Sequence, residues 1–189
     1  MRRTVELGFL LAIALILSYV ESLIPFSFGI PGIKLGLPNL IVLLLLYDDT
    51  AGAENVSAGY ENGSQVTRKK GLSKGAREAL MVNALRIVLS GFLFSNLYAI
   101  LYALSGAGFS FAAMLIGKKC GRFSMIGVSV LGGVFHNMGQ IVVAMLVVET
   151  FAVSYYVPFL IVAGTATGAL LGVAGMEIAP YLRRMSSRH

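Results

Sequence analysis

The apolar run from Met125 to Val148 constrains the fold of this chain more than any other feature. About 20 apolar residues suffice to cross the hydrocarbon core of a bilayer as a helix. His136, Asn137 and Gln140 lie near the middle of the run, and polar side chains at that depth normally face other helices or a cavity. Since residues four apart share one face of a helix, His136 and Gln140 point the same way. The run therefore predicts a membrane helix with a polar patch that other helices cover.

The composition of the whole chain favours a membrane location. Of its 189 residues, 57% are hydrophobic and only 13% are charged, whereas a soluble domain carries about 25% charged residues. Apolar runs of full helical length are untypical of a β-barrel, whose strands are short and alternate. We therefore expect an all-α integral membrane protein with a single transmembrane domain over residues 1–189. The apolar stretch after the basic N-terminus is interpreted as a retained first helix.

Six transmembrane helices are predicted from the apolar runs. They cover Val5–Ile24, Pro38–Tyr47, Ala76–Phe94, Asn96–Ile116, Met125–Val148 and Tyr155–Met176. The second run is too short to cross a bilayer alone at about 1.5 Å per residue. The segment before it, Pro25–Pro38, is apolar but contains three prolines and three glycines, which exclude a continuous helix. We expect a broken, re-entrant segment there, because irregular backbone is tolerated at membrane depth only under a cover of protein.

The positions of the basic residues predict the topology. All Lys and Arg residues except Lys34 and Arg86 lie at the two termini, between helices 2 and 3, or between helices 4 and 5. With six helices these segments share one side, and the positive-inside rule makes that side cytoplasmic. The polar stretch Asp48–Gly75 is then a flexible cytoplasmic insert. We expect a multi-pass protein of the bacterial cell (inner) membrane with cytoplasmic termini, in which the net charge of +6 requires no nucleic-acid partner.

Lys34 and Arg86, which the topology does not explain, are candidates for contact with a substrate. Arg86 lies near mid-membrane, where a guanidinium must be paired or must line a wet cavity. Glu21 or a substrate anion is a possible partner. Lys34 and free amides near Asn39, at the start of helix 2, would form an anion site. The alternatives are an Arg86 bonded to helix carbonyls and a Lys34 in an external loop.

Together with the patch on helix 5, these residues predict a binding site for a small anionic or polar-headed molecule. The candidate substrate-binding residues are Lys34, Asn39, Arg86, Asn96, His136, Asn137 and Gln140. We expect them at the floor of an outward-facing cavity, with Phe26–Gly36 as a lid. For His136 alone, the alternative is a buried histidine that bridges helices.

Small residues at one-turn spacing predict close helix packing at two places. In helix 1 the candidate partner-docking residues are Gly8, Ala12, Ala14 and Ser18. The alternative for them is packing within the chain. In helix 6 the pattern consists of Gly164, Gly168 and Gly172. It does not show whether the neighbouring helix belongs to this chain.

Several catalytic signatures are absent from the sequence. It has no G-x-x-x-x-G-K-[ST] phosphate-binding loop and no His/Cys set with zinc spacing. The pair Asp48-Asp49 lacks the third aspartate of an aspartate-rich diphosphate site. We therefore expect no catalytic residue, metal site or cofactor, and interpret the chain as not an enzyme, unless it is a non-catalytic subunit of a synthase.

Three stretches resemble a known family. They are Ile30–Asn39, Leu85–Asn96 and Gly133–Gln140, and they resemble the bacterial Gx transporter family, whose members are also labelled heptaprenyl diphosphate synthase component I. That family is similar to the substrate-binding S components of energy-coupling factor (ECF) transporters, six-helix proteins that borrow an ATPase module. The resemblance implies an S-component-like bundle that takes up a vitamin-like molecule or a quinone or isoprenoid precursor.

The resemblance also implies partners. ECF-type transmembrane and ATPase subunits would assemble with the chain in the lipid bilayer, and helix 1 would contact the transmembrane subunit. The synthase label implies a different function, as the membrane accessory subunit of a heptaprenyl diphosphate synthase in menaquinone side-chain biosynthesis. A third hypothesis is a scaffold whose glycine faces assemble a complex.

Overall fold

The computed structural model describes residues 2–23, 34–48 and 72–187, and in these ranges the chain is helical without strands. The described parts of the chain contain six α-helices and one 3₁₀ helix in succession. They are α1 (Arg2–Leu23), α2 (Asn39–Leu46), α3 (Lys74–Phe94), α4 (Leu97–Cys120), α5 (Met125–Val148), the 3₁₀ helix (Phe151–Tyr156) and α6 (Val157–Ser187). The all-α prediction is therefore confirmed for the described ranges.

Within the described residues, four helices are long and apolar enough to cross a membrane. They are Arg3–Leu23, Leu97–Cys120, Met125–Val148 and Phe151–Leu182. The other two α-helices do not meet both conditions. Helix α2 is too short, with only 8 residues, and α3 carries the charged residues Arg77, Glu78 and Arg86. Six membrane spans therefore remain a prediction. Most of the expected re-entrant segment and of the Asp48–Gly75 insert lies outside the described residues.

The short helix α2 lies at the centre of the bundle. It contacts all five other α-helices, and its residues from Ile41 to Leu46 are buried. A helix that is apolar all round is expected where protein surrounds it, and the sequence NLIVLLLL of α2 fits that position. The hydrophobic core around α2 includes Leu10 and Ala14 of α1 and Met114 of α4.

Helices α5 and α6 pack backbone against backbone through the predicted glycine pattern. A Cβ atom on Gly133 would lie 2.3 Å from the carbonyl oxygen of Gly164. A Cβ atom on Gly168 would lie 2.6 Å from the Cα atom of Val130. Since real Cβ atoms do not approach other atoms so closely, only glycine permits this interface. The glycines of helix 6 therefore pack within this chain.

An ionic cluster joins several helices at one end of the bundle. The guanidinium of Arg3 contacts the carboxylates of Glu78 at 2.5 Å, Asp48 at 2.8 Å and Glu6 at 3.1 Å. Nearby, Lys118 Nζ donates a hydrogen bond to the carbonyl oxygen of Leu46. These contacts bring together the start of α1, the end of α2, the start of α3 and the end of α4. The prediction that the basic segments share one side of the membrane requires this arrangement.

The four predicted docking residues of α1 point in two directions. Gly8 and Ala12 are exposed, and nothing lies within 4 Å of a Cβ atom built on Gly8. Ala14 and Ser18 are buried inside the bundle, where the Ser18 hydroxyl donates to the Ala14 carbonyl at 2.9 Å. Only Gly8 and Ala12 therefore lie on a face that another subunit could reach.

Candidate ligand-binding site

The turn that precedes α2 is anchored to α1 by a buried carboxylate. Oε1 of Glu21 accepts hydrogen bonds from the backbone amides of Gly36 and Leu37. The amide of Asn39 donates to the carbonyl of Gly36 at 2.9 Å, and that of Leu40 to the carbonyl of Leu37 at 3.2 Å. The amides expected to be free at this turn are therefore bonded within the chain, and the anion that Gly36 and Leu37 bind is Glu21.

The same turn lies directly against the polar patch of α5. Gly36 has a φ of 82°, a conformation that residues with a Cβ atom rarely adopt. A Cβ atom there would also lie 2.9 Å from Asn39 Nδ2 and 3.0 Å from His136 Cδ2. Glycine at this position therefore allows the backbone to touch the imidazole.

Gln140 connects the turn to His136. Its Oε1 accepts from the backbone amide of Lys34 at 3.2 Å, and its Nε2 lies 3.1 Å from Nε2 of His136. On the other side, a Cβ atom on Gly106 of α4 would lie 2.9 Å from the imidazole and 3.0 Å from Gln140. Because α4 and the turn approach so closely, both side chains are buried.

Arg86 enters the same region from α3 and is only 5% exposed. Its Nη1 donates to Ser18 Oγ at 3.3 Å and its Nη2 to Asn83 Oδ1 at 2.5 Å. The negative charge of Glu21 attracts it. Arg86 is thus held by two neutral side chains, one on α1 and one on its own helix, and by the field of one carboxylate.

Five of the seven predicted residues therefore meet near the start of α2. Glu21 joins them through its bonds to the turn, which the sequence did not predict. We call this set the polar cluster; it consists of Glu21, Lys34, Asn39, Arg86, His136 and Gln140. Lys34 is half-buried, and its Nζ reaches Ser95 Oγ at 3.4 Å. The signal that could have assigned Glu21 to the site is its position as a lone carboxylate in an apolar run.

The other two predicted residues have different surroundings. Asn96 is exposed, and its side chain accepts from the amide of Ala99 at 2.8 Å as the N-cap of α4. Asn137 faces α6 and donates from Nδ2 to the carbonyl of Leu160 at 2.9 Å. Neither contact joins these residues to the polar cluster.

Three residues of the polar cluster have buried polar atoms without a hydrogen-bond partner. These atoms are Nδ2 and Oδ1 of Asn39, Nε of Arg86 and Nδ1 of His136. Buried polar groups in proteins almost always have a partner, and leaving one unsatisfied costs about 1–3 kcal/mol. The cluster therefore offers unused donors and an acceptor to a polar molecule that enters it.

The described parts of the chain show no comparable centre for a metal. No group of three or more His, Cys, Asp or Glu side chains lies close enough in residues 2–23, 34–48 and 72–187 to hold an ion. A separate apolar groove of about 710 Å³ lies between α4 and α5 and is lined by Phe109, Ile116 and Phe135, among others. The groove and the polar cluster are distinct sites.

Comparison with known proteins gives the family. The sequence model described as heptaprenyl diphosphate synthase component I matches residues 10–55 and 70–178. No curated protein and no solved structure matches. The matched ranges include every residue of the polar cluster and most of the chain. The chain therefore belongs to the heptaprenyl diphosphate synthase component I family, as its three motif stretches predict.

Proposed function

We propose that this protein is a membrane-embedded, substrate-binding subunit for the uptake of a small anionic or polar-headed molecule. The observation that carries the proposal is the burial of Arg86 and Asn39 with polar atoms that have no partner. Both are at least nine-tenths buried, and both keep hydrogen-bonding atoms without a partner in a mostly apolar bundle. Buried polar residues in membrane helices normally mark a substrate path or a structural bond, and a purely structural role would use these atoms.

The turn before α2 would close the site. It is held by side chains from two helices, Glu21 of α1 and Gln140 of α5. Breaking these few bonds would release the turn and leave the apolar core around α2 in place. The turn at residues 34–36 would then open, and the ligand's acidic group would bind Arg86 and Lys34, while His136 and Gln140 select its polar part.

The partners follow from the same proposal. No catalytic step is assigned to this chain, so energy would come from ECF-type transmembrane and ATPase subunits. The exposed small residues Gly8 and Ala12 would let a helix of such a subunit approach α1 closely. The basic end of the bundle, which holds Arg3 and Lys118, would face the cytoplasm of a bacterial cell.

Substitution of Arg86 tests the proposal. Protein purified in mild detergent is extracted, and small molecules retained per protein are measured by mass spectrometry. Arg86→Ala is expected to lower retention by about tenfold or more, equivalent to about 1.4 kcal/mol. Arg77→Ala removes the same charge from an exposed position on the same helix and should retain as much as the wild type. Equal retention by both variants would contradict the proposal.

The family description supports a second candidate function. A synthase component without its own aspartate-rich motif would be an accessory subunit that recruits a soluble catalytic subunit to the membrane. This candidate predicts that a soluble prenyl-diphosphate synthase co-purifies with the chain and that deleting the chain abolishes long-chain product. The uptake proposal predicts normal product and a loss of uptake, so one deletion strain separates the two.

A further inference from the structure

Three charged side chains meet in the polar cluster. Arg86 and Lys34 are cations and Glu21 is a carboxylate, and the three interact electrostatically in every pair. Glu21 and Arg86 are buried, and Lys34 is half-buried. Residues 24–33, which lead from α1 to Lys34, contain no ionisable side chain. The connector therefore does not change the sum of these charges.

The hydrogen bonds make His136 neutral. Oε1 of Gln140 accepts a hydrogen bond from the backbone amide of Lys34. The amide nitrogen Nε2 of Gln140 therefore faces the imidazole. A side-chain amide nitrogen only donates, so Nε2 of His136 must be the acceptor and carries no proton. A protonated imidazole has donors at both nitrogens and could not make this bond. His136 therefore adds no charge to the cluster.

With Glu21 ionised and with Lys34 and Arg86 protonated, the cluster carries one net positive charge, from two cations and one carboxylate. An unbalanced charge away from water is costly until an opposite charge joins it. We propose, building on the uptake function above, that the ligand is a monoanion such as a carboxylate, and that Glu21 is the residue that selects it against dianions and diphosphates.

The hydrogen bonds of the turn explain why Glu21 has this role. Its carboxylate already occupies the amides of Gly36 and Leu37, which would otherwise bind an anion. An incoming acidic group is left with Nε of Arg86, the side-chain Nδ2 of Asn39 and Nδ1 of His136, which are unpartnered. One carboxylate satisfies these donors and the charge balance. A second negative charge would face Glu21 across the same site, where like charges repel strongly because water is scarce.

A pair of matched probes tests the inference. Benzoate is a monoanion, and phenyl phosphate is a dianion at mildly alkaline pH, while both carry the same ring. Dissociation constants are measured by titration of the full-length protein in a non-ionic detergent. We expect the wild type to bind benzoate about tenfold or more tightly than phenyl phosphate. Arg86→Ala should weaken the binding of both probes.

Glu21→Gln is the discriminating variant. The glutamine oxygen still accepts from Gly36 and Leu37, so the turn is preserved while one negative charge is lost. The preference should shift by about tenfold or more towards phenyl phosphate. Glu6→Gln, which makes the same change elsewhere on α1 in the ionic cluster, should keep the wild-type ratio.

Two results would overturn the inference alone. They are a wild type that binds phenyl phosphate more tightly through Arg86, and a Glu21→Gln variant whose ratio equals that of the wild type. If neither probe binds the wild type in an Arg86-dependent way, the inference fails, and the proposed binding function fails with it when small-molecule retention is also independent of Arg86.

Discussion

Gly36 and His136 lie so close that a Cβ atom on Gly36 would be 3.0 Å from the imidazole Cδ2 atom. The two residues are a hundred positions apart in the sequence. Their contact places the turn before α2 against the polar face of α5, and it brings Lys34 and Asn39 to the same region. The polar cluster depends on this close approach.

Gly36→Ala is therefore expected to damage both stability and binding. The positive φ alone costs about 1–2 kcal/mol for a residue with a Cβ atom, and the new methyl group also meets Asn39 and His136. We expect a lower apparent melting temperature, followed by circular dichroism since the chain has no tryptophan, and at least a several-fold loss of retained ligand.

Gly121→Ala is the matched control for that variant. Gly121 also has a positive φ, of 66°, but nothing lies within 4 Å of its Cβ position. It should lose stability through backbone strain and keep its ligand. A Gly36→Ala protein that retains ligand as well as Gly121→Ala would show that the turn does not shape the site.

The α5–α6 interface yields a prediction about stability only. Gly133→Ala places a methyl group 2.3 Å from the Gly164 carbonyl oxygen, so the helices must separate. Overpacking of this kind costs about 1–3 kcal/mol, and the apparent melting temperature should fall. Gly108→Ala on α4 meets nothing within 4 Å and should not destabilise the protein. Equal melting temperatures for the two variants would refute backbone contact between α5 and α6.

Arg3 is expected to stabilise the end of the bundle. Arg3→Ala removes the cation that contacts Glu78, whose side chain is only 11% exposed. Since the Arg3 side chain is itself 26% exposed, we expect a moderate loss of about 1–2 kcal/mol in the free energy of unfolding. Arg122→Ala, at an exposed position, serves as the control. A loss no larger than that of the control would mean that solvent screens the ionic cluster.

Cys120 provides a test of the topology. It is the only cysteine in the chain, it is exposed, and it follows Lys118 and Lys119. The positive-inside rule predicts that an impermeant maleimide labels it in inside-out vesicles but not in intact cells. Tyr155→Cys in a Cys120→Ser background should show the opposite pattern, since Tyr155 is exposed at the other end of α5. Labelling of Cys120 in intact cells would reverse the orientation.

Local signals made several features predictable from the sequence. The predicted bounds of helix 5 coincide with α5, because the apolar run begins after the N-cap Ser124 and ends before the C-cap Glu149. Helix 6 was predicted to end at Met176, where the apolar run stops. Instead α6 continues through Pro180 to Ser187, since a helix does not need apolar residues once it leaves the core.

The contacts of the site were less predictable, because they join distant parts of the chain. Arg86, His136 and Gln140 stood out as polar residues in apolar runs. The bonds from Gly36 and Leu37 to Glu21 depend on how a turn folds back onto α1, and no spacing in the sequence encodes that approach. Asn96 has the pattern of a helix N-cap, and its position immediately before an apolar run was the available signal.

Native mass spectrometry of the wild-type protein in mild detergent tests the central claim most directly. We expect a population that carries one small molecule, whose mass corresponds to a compound with a single acidic group and which is absent from Arg86→Ala. A spectrum in which the wild type and Arg86→Ala carry the same adducts, or none, would contradict the account of the polar cluster as a binding site.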